Sequence, residues 1–507
     1  MLTALLDLLD RWQPRRVLVA GDFMLDRYSF GHVDRLSPDA PVPVLDVKST
    51  DDRPGGAANV CRDLVALRCE AIAVGIIGDD APGRDLSDAM SEAGIDTAGL
   101  IASPGRPTTI KHNLVGLAQH RHPQKMFRLD VEDRTPLDEA AVDALLAKAE
   151  SLLAGGEIHA VCLEDYAKGV CTPRFCEGLM ATAKRFGVPV LVDPAAITDY
   201  AKYAGAAAIT PNRTEARLAT ARKPANAEAD LDEASAMARQ LQDAHDIAHV
   251  VITLDKSGAL LRQPDGTEHH VPTRARAVYD VTGAGDMVLA ALAAATAQAG
   301  FGETDWPNAV ALANLAAGLE VEKPGVVPIP LDDLLLEVLR QQHETLGKAR
   351  TLEQLLPELR AHRSAGRTVA FTNGCFDVLH AGHVQYLRSC ARHADLLVVG
   401  LNSDASIGRI KGDKAGPPRP INQQADRLLV LSELQSLDYI VVFDEDTPLS
   451  LIEAVRPDVL LKGADYRRED VVGHEIVEAT GGRVELVPLV EGRSTTNILE
   501  KITENAP

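Results

Sequence analysis

Short apolar runs punctuate the first two thirds of the chain: "RVLVAGD", "AIAVGIIGDD", "HAVCLEDYA", "VPVLVDP", "AAAIT" and "HVVITLD". The segments between them are rich in Ala, Leu, Arg and Glu. Strand-length apolar runs alternating with helical segments predict a mostly parallel sheet covered by helices. Two stretches break the rhythm, "YSFGHVDRLSPDAPVPVLDVKS" and "TTIKHNLVGLAQHRHPQKMFRLD". Their alternating residues and prolines predict extended ribbons outside the main sheet, placed as a lid. The histidines of the second ribbon read as solvated lid residues.

After "EKPGVVPIP" a polar, leucine-periodic stretch, "LDDLLLEVLRQQHETLGKARTLEQLLPELRAHRSAGR", predicts helices that join two domains. From "TVAFTNG" the β/α rhythm restarts with "ADLLVVGLNSD", "LDYIVVFDED", "PDVLLKGADY" and "RVELVPL". The expected division is residues 1–330, a helical linker over 331–350, and residues 351–507, with an α/β fold on both sides. A chain of 507 residues exceeds the size at which one hydrophobic core keeps growing. With 46% hydrophobic residues, each part can bury a core of its own.

A formal net charge of -21 repels polyanions, which argues against nucleic-acid binding or docking on an acidic membrane. Phosphorylated ligands then need local basic pockets. Seven cysteines without a CxxC pair read as reduced thiols, which places the protein in the cytoplasm. The opening "MLTALLDLLDRWQPRR" carries acids through its apolar stretch and predicts an amphipathic helix, not a signal peptide. No apolar run is long enough to span a bilayer.

"YDVTGAGDMVLAALAAATAQAG" puts Gly283, Gly285 and Asp286 at the mouth of an alanine-rich helix. Glycines permit close approach of a ligand, and the N–H groups at the helix end favour a phosphate. Asp286 is then placed to accept the proton of an attacking hydroxyl. The plainer reading is a helix start with a favourable first-turn charge. There is no P-loop, and the third glycine of GxGxxG falls at Val288, so a dinucleotide fingerprint is absent as well.

Residues 1 to about 330 resemble the ribokinase-like carbohydrate kinases, through "RPGGAANVCRDLVAL" near the start and "VTGAGD" near the end. The resemblance implies an α/β/α domain with a β lid, Asp286 as base, and Gly283, Ala284 and Gly285 as the anion hole. It assigns Asp22, Asp26, Gly55, Gly56 and Asn59 to sugar hydroxyls. Asn212 and Glu215, in "TPNRTEA", match an element near the magnesium and the nucleotide phosphates. One position departs: where relatives follow "VDP" with a lysine, this chain has Ala195 and Ala196. Lys168 and Lys111 are the candidates to supply the missing charge.

In "FTNGCFDVLHAGHVQYL", His380 and His383 stand three apart behind a strand-like run. Three apart on a helix they share a face, so a metal, a phosphate or a simple cap are all geometrically open. Zinc needs further ligands, and no HExxH or cysteine cluster accompanies them. Residues from about 350 to 503 resemble the cytidylyltransferase-like nucleotidyltransferases, through "NGCFDVLHAGH", "RIKGDKAGPPRP" and "GRSTTNILEKI". That implies a Rossmann-like domain in which His380, His383 and Lys411 meet ATP phosphates. Phe376 and Asp377 line the substrate and nucleotide cleft, and Ser494, Thr495 and Thr496 bind nucleotide. Arg409, Lys411, Lys414 and Arg419 form a local basic loop.

The two halves together resemble the bifunctional heptose 7-phosphate kinase and heptose 1-phosphate adenylyltransferase family. The resemblance implies phosphorylation of D-glycero-β-D-manno-heptose 7-phosphate at C1. It further implies adenylyl transfer from ATP to heptose 1-phosphate, giving ADP-heptose for lipopolysaccharide core assembly. ATP is the co-substrate of both steps and Mg²⁺ their cofactor; the partners are small sugar phosphates, and a homodimer is expected. Alternatives from the same residues are a fusion acting on another sugar phosphate or on CTP, and a nucleotide-binding sensor without turnover.

Overall fold

Among the described residues of the computed structural model, which are 2–118, 121–222, 231–274, 278–323, 325–411 and 418–488, the early apolar runs assemble into a nine-stranded sheet. In spatial order its strands are Glu268–Val271, Ala259–Arg262, His249–Thr253, Ala208–Ile209, Val190–Asp193, Ile158–Glu164, Arg16–Gly21, Glu70–Gly78 and Asp96–Ser103. Those from His249–Thr253 onward are parallel, and the first two fold back antiparallel on one edge. Strands buried on both faces have no polar side, which is why the runs read as continuous apolar blocks. Leu18, Ile72, Val161 and Val192 are enclosed, and Phe175, Tyr200 and Tyr203 pack into the same core. Strand order reverses between Arg16–Gly21 and Ile158–Glu164, and the crevice at their carboxyl ends is where such sheets bind ligands.

Helix Ala284–Ala299 lies across that crevice, and every residue from Asp286 to Ala297 is buried. A helix covered all round has no polar stripe. Alanines keep it thin, so helices Ala57–Ala66 and Trp306–Glu320 and strand Ile158–Glu164 all contact it. The two expected ribbons form a separate four-stranded sheet in the order Pro43–Gly56, Phe23–Leu36, Thr109–Ala118 and Arg121–Val131.

The second sheet has six parallel strands among the described residues: Ala349–Arg350, Tyr439–Phe443, Leu396–Asn402, Val369–Gly374, Val459–Gly463 and Arg483–Val487. Its order reverses between Val369–Gly374 and Val459–Gly463.

The units differ from the expected division. One is Trp12–Leu334; the other joins Leu335–Pro507 to Met1–Arg11. Helix Leu2–Asp10 contacts helix Leu352–Ser364, with Arg360 Nε bonded to Asp10 Oδ2 at 2.9 Å. An apolar stripe shows that a helix is covered, not by what, so the first residues could not be assigned to the second unit from sequence. Within the expected linker, helix Leu331–Leu346 forms, but Ala349–Arg350 already pairs with Tyr439–Phe443 as a strand of the second sheet.

Arg350 and Glu358 form an ion pair at 2.5 Å with both side chains 0% exposed. Arg350 also donates to the carbonyls of Gly347 at 2.7 Å and Ala349 at 2.9 Å, so its donors are shared between strand and helix. Removing one member of such a pair leaves a buried charge uncompensated, at a cost of about 3–5 kcal/mol. Glu358→Ala is therefore expected to destabilise the second unit by that amount. Amide exchange in strand Val369–Gly374 checks it, and protection equal to the parent protein's refutes it.

Candidate active sites

The carboxyl ends of Arg16–Gly21 and Ile158–Glu164 deliver a group of acids to one place. Asp286, at the start of helix Ala284–Ala299, is buried; its Oδ2 accepts from Asn59 Nδ2 at 2.8 Å and its Oδ1 from the Tyr166 hydroxyl at 2.9 Å. Burial raises its proton affinity, the Asn59 and Tyr166 bonds and the Lys111 charge lower it, and the pKa is pushed up to about 6. The group is thus ionised at neutral pH but weakly solvated, as a base for a hydroxyl proton should be. Gly283 caps the helix in the left-handed region at φ 93°, and a Cβ there would stand 2.7 Å from Glu320 Oε1. The first-turn N–H groups that follow have no acceptor within the helix.

The other expected residues divide by task. Asn59 holds Asp286. Asp22 accepts from the backbone N–H groups of Tyr166 at 2.9 Å, Lys168 at 3.0 Å and Val170 at 3.3 Å, so it folds the turn that carries Tyr166. Burial is the main reason its pKa rises to about 6. Asp26 keeps a buried Oδ1 without a hydrogen-bond partner, and a Cβ on Gly55 would meet its Oδ2 at 2.5 Å; the glycine is required by the close approach. Gly56 caps helix Ala57–Ala66. Asn212 and Glu215 form a reciprocal capping box on helix Arg213–Ala219, with bonds of 2.8 to 3.0 Å, and the Glu215 charge reaches Asp193.

Lys168 is committed to an ion pair with Glu132. Lys111 instead stands 4.5 Å from the Tyr166 ring centroid, and its charge acts on both Asp26 and Asp286. Of the two candidates for the charge missing after "VDP", only Lys111 is at the base.

Glu164, Asp193 and Asp286 bring carboxylate oxygens within 4.8 Å of one another. Glu164 Oε2 is buried without a hydrogen-bond partner, and burial with mutual repulsion raises the proton affinity of Glu164 and Asp193. Hard oxygen donors packed this closely fit a magnesium ion.

In the second unit, a cleft of about 560 Å³ opens at the switch point between Val369–Gly374 and Val459–Gly463. His380 is the N-cap of helix Ala381–Cys390, and its ring stacks on His383 with centroids 3.9 Å apart. Phe376 meets the His383 ring edge-on at 5.3 Å. Burial, then the neighbouring His380 and Lys411, holds the His383 pKa down to about 4. The ring is therefore neutral at physiological pH and acts as a hydrogen-bond group. Lys411 ends helix Asp404–Lys411 and lines the cleft. Asp377 also lines it, yet its carboxylate pairs with Arg419 and accepts from the backbone of Ile421 at 2.8 Å and Asn422 at 2.9 Å. It fastens the basic loop as much as it shapes the cleft. Ser494, Thr495, Thr496 and Lys414 lie outside the described residues.

Four side chains were not anticipated as site residues: Tyr166, Glu164, Asp193 and Lys462. Lys462 Nζ donates to Asn373 Oδ1 at 2.7 Å inside the cleft, and burial lowers its pKa. The available signal was position, since all sit at or just past the carboxyl ends of strands, where α/β sheets bind ligands.

The fold and the two sites define an enzyme that couples a sugar kinase to a nucleotidyl-transferring unit. Residues 15–333 match the pfkB family carbohydrate kinases and residues 371–499 the cytidylyltransferase-like family. The chain belongs to the family of bifunctional HldE proteins. It is 42% identical over 497 residues to "Bifunctional protein HldE" of Trichlorobacter lovleyi, covering 98% of this chain and 97% of that one. To the protein of the same name from Geobacter sulfurreducens it is 44% identical over 486 residues, covering 96% and 95%. The kinase fold is shared with the tetrameric inhibited form of phosphofructokinase-2 from Escherichia coli, at TM-score 0.51 and 15% identity, covering 65% of this chain and 100% of that one.

A neutral His383 makes a pH prediction. Nucleotidyl transfer should show no loss attributable to His383 as pH rises from about 5 to about 8, because its charged form is already gone above about 4. A pH–rate profile of pyrophosphate release tests this. Activity that falls as pH climbs through the ordinary imidazole value of 6.5 would mean that an imidazolium is required.

Proposed function

We propose that the first unit transfers the γ-phosphoryl group of ATP to the C1 hydroxyl of D-glycero-β-D-manno-heptose 7-phosphate. The product carries phosphates at C1 and C7; after a separate phosphatase has hydrolysed the 7-phosphate, the second unit transfers the adenylyl group of ATP to heptose 1-phosphate, giving ADP-heptose and pyrophosphate. The observation that carries this reading is that each unit keeps a complete but different phosphate-handling group. One has Asp286 oriented by Asn59 and Tyr166 at a helix N-terminus; the other has the stacked His380 and His383 in a cleft with Lys411 and Lys462.

In the kinase unit, the C1 hydroxyl oxygen attacks the γ-phosphorus while its proton passes to a carboxylate oxygen of Asp286, and ADP leaves. The N–H groups of Gly283, Ala284 and Gly285 meet the charge on the transferring phosphoryl oxygens. Asp26, with its unpartnered oxygen, accepts from a sugar hydroxyl. Asn212 and Glu215 stand near the nucleotide phosphates. Glu164 and Asp193 would hold magnesium, which supplies neutralisation of the ATP phosphates.

In the second unit, an oxygen of the sugar 1-phosphate attacks the α-phosphorus of ATP and pyrophosphate departs in line. His380 and His383 donate to the phosphate oxygens, and Lys411 and Lys462 add positive charge. Phe376 and Asp377 shape the cleft wall. The protein works in the cytoplasm, a placement supported by seven free cysteines, and no helix among the described residues is long and apolar enough to cross a membrane.

The chain forms a homodimer through its lids. Phe127, Leu129 and Val131 alternate along one lid strand and are 64%, 44% and 48% exposed, an apolar row that a second copy would cover. Phe127→Asp is expected to shift sedimentation from dimer to monomer; a parent protein that sediments as monomer refutes the pairing.

The two activities should separate. Asp286→Asn is expected to lower sugar phosphorylation by roughly 100-fold or more while leaving adenylyl transfer to supplied heptose 1-phosphate intact. His383→Ala is expected to do the reverse. Assays with ATP and CTP over a panel of sugar phosphates test both the chemistry and the substrate. Loss of both activities from either change in folded protein would sink the two-site reading.

A further inference from the structure

The turn that carries Tyr166 is held in a strained conformation. Ala167 lies in the left-handed region at φ 54°, where a Cβ crowds its own backbone and residues other than glycine are uncommon. Such a residue persists only when its surroundings over-determine it. Asp22 accepts the backbone N–H groups of Tyr166, Lys168 and Val170, and Asp165 Oδ1 accepts that of Ala167 at 2.8 Å. Those bonds take up the donors of the turn and leave its carbonyls to other partners.

One guanidinium reaches them. Arg106 Nη2 donates to the carbonyls of Lys168 at 2.6 Å and Asp133 at 2.7 Å, and Nη1 donates to that of Thr135 at 2.9 Å. The Leu137 N–H bonds the next carbonyl of the turn, that of Gly169, at 3.0 Å. A Cβ on Gly169 would stand 2.4 Å from the Thr135 carbonyl oxygen, so turn and segment are in close contact. Lys168 adds its ion pair to Glu132. These partners share one place in the fold. Arg106 stands just before lid strand Thr109–Ala118, and Glu132, Asp133 and Thr135 follow directly on lid strand Arg121–Val131, its antiparallel neighbour. Both feet of this strand pair are therefore joined to the turn of Tyr166. The same pair carries Lys111, 4.5 Å from the Tyr166 ring centroid.

We propose that Arg106 is a positioning residue for phosphoryl transfer: through the Lys168 carbonyl it holds the turn at Ala167 that keeps the Tyr166 hydroxyl on Asp286, and through Asp133 and Thr135 it ties that turn to the feet of the lid. The proposal rests on the kinase reading of the first unit and deepens it by naming the link between the lid and the proton acceptor. A planar guanidinium suits the task, because its fork of donors serves several carbonyls at once where an ammonium is a single point. The effect of Arg106 passes through Tyr166, whose hydroxyl stands 2.9 Å from Asp286 Oδ1.

The test is a double-mutant cycle in the full-length protein, with ATP and D-glycero-β-D-manno-heptose 7-phosphate. Arg106→Gln and Tyr166→Phe are each expected to lower kcat of sugar phosphorylation at least about tenfold, since a small misplacement near the reacting groups is enough for such a loss. KM for the sugar should stay within about twofold of the parent's, which also shows that the site is folded. In the Tyr166→Phe background, Arg106→Gln should remove less than about a further twofold, because residues that act through one another are not additive. Arg134→Gln should leave kcat unchanged; its 67% exposed side chain pairs with the same Glu132. If Arg106→Gln does not fold, Glu132→Gln decides: it breaks the ion pair to Lys168 and should lower kcat about threefold, again only when Tyr166 is present. Losses that multiply, a loss confined to KM, or an equal loss in Arg134→Gln overturn the role of Arg106 and leave the kinase reading standing. If the wild type uses a different sugar, the heptose assignment falls and the same cycle on that sugar decides. A wild type that phosphorylates no sugar overturns both.

Discussion

The two hydrogen bonds that Asn59 and Tyr166 make to Asp286 are the contacts on which the kinase unit depends. The Asp286 carboxylate lies among Glu164, Asp193 and Asp26, in a place where water cannot screen like charges. Without those two bonds it would hold a proton more tightly. Its two donors and the cation that acts on it come from distant parts of the chain: Asn59 from helix Ala57–Ala66, Tyr166 from the turn after Ile158–Glu164, and the Lys111 charge from the lid. The parallel sheet, its switch point and the lid are all needed to bring them to one oxygen pair.

The same constraint explains the unusual service of Asp22. Its bonds to the N–H groups of Tyr166, Lys168 and Val170 hold the turn that presents the tyrosine. A buried acid is thereby stabilised by backbone dipoles, and the tyrosine that bonds Asp286 is positioned by the same bonds. Asp377 plays a matching part in the second unit, where it gathers Arg419, Ile421 and Asn422 beside the histidine pair. The two units solve the phosphate problem in different ways. One relies on carboxylates with a helix N-terminus and suits a metal-bound nucleotide. The other brings a stacked histidine pair and lysines to one cleft.

Much of this was legible in the chain. The apolar runs became strands, the proline-broken ribbons became the lid, and the two motifs landed at the carboxyl edges of their sheets. What was missed follows a pattern. Tyr166, Glu164 and Lys462 sit in ordinary strand ends, "CLEDYA" and "LLKGADY", and nothing local marks them. The family resemblance assigns Asn59 and Asp22 to sugar hydroxyls; the partners the fold gives them, Asp286 for Asn59 and the turn of Tyr166 for Asp22, lie far away in sequence and are not legible from it. Helix Leu2–Asp10 was placed with the nearer unit because adjacency in sequence is the default, whereas its apolar face packs on Leu352–Ser364.

By itself the sequence determined the classes of element, the presence of two α/β units and the residue types at both sites. Those properties depend on local periodicity, on glycine geometry and on short motifs, all of which act over a few neighbouring residues. Only the tertiary structure decided that the Lys111 charge and not that of Lys168 comes to Asp286, and that the carboxylates of Glu164, Asp193 and Asp286 meet within 4.8 Å. It alone set the Arg106 guanidinium among the carbonyls of Asp133, Thr135 and Lys168. Charge interactions of this kind depend on distance through space and on burial, and residues far apart in sequence acquire both only when the chain has folded.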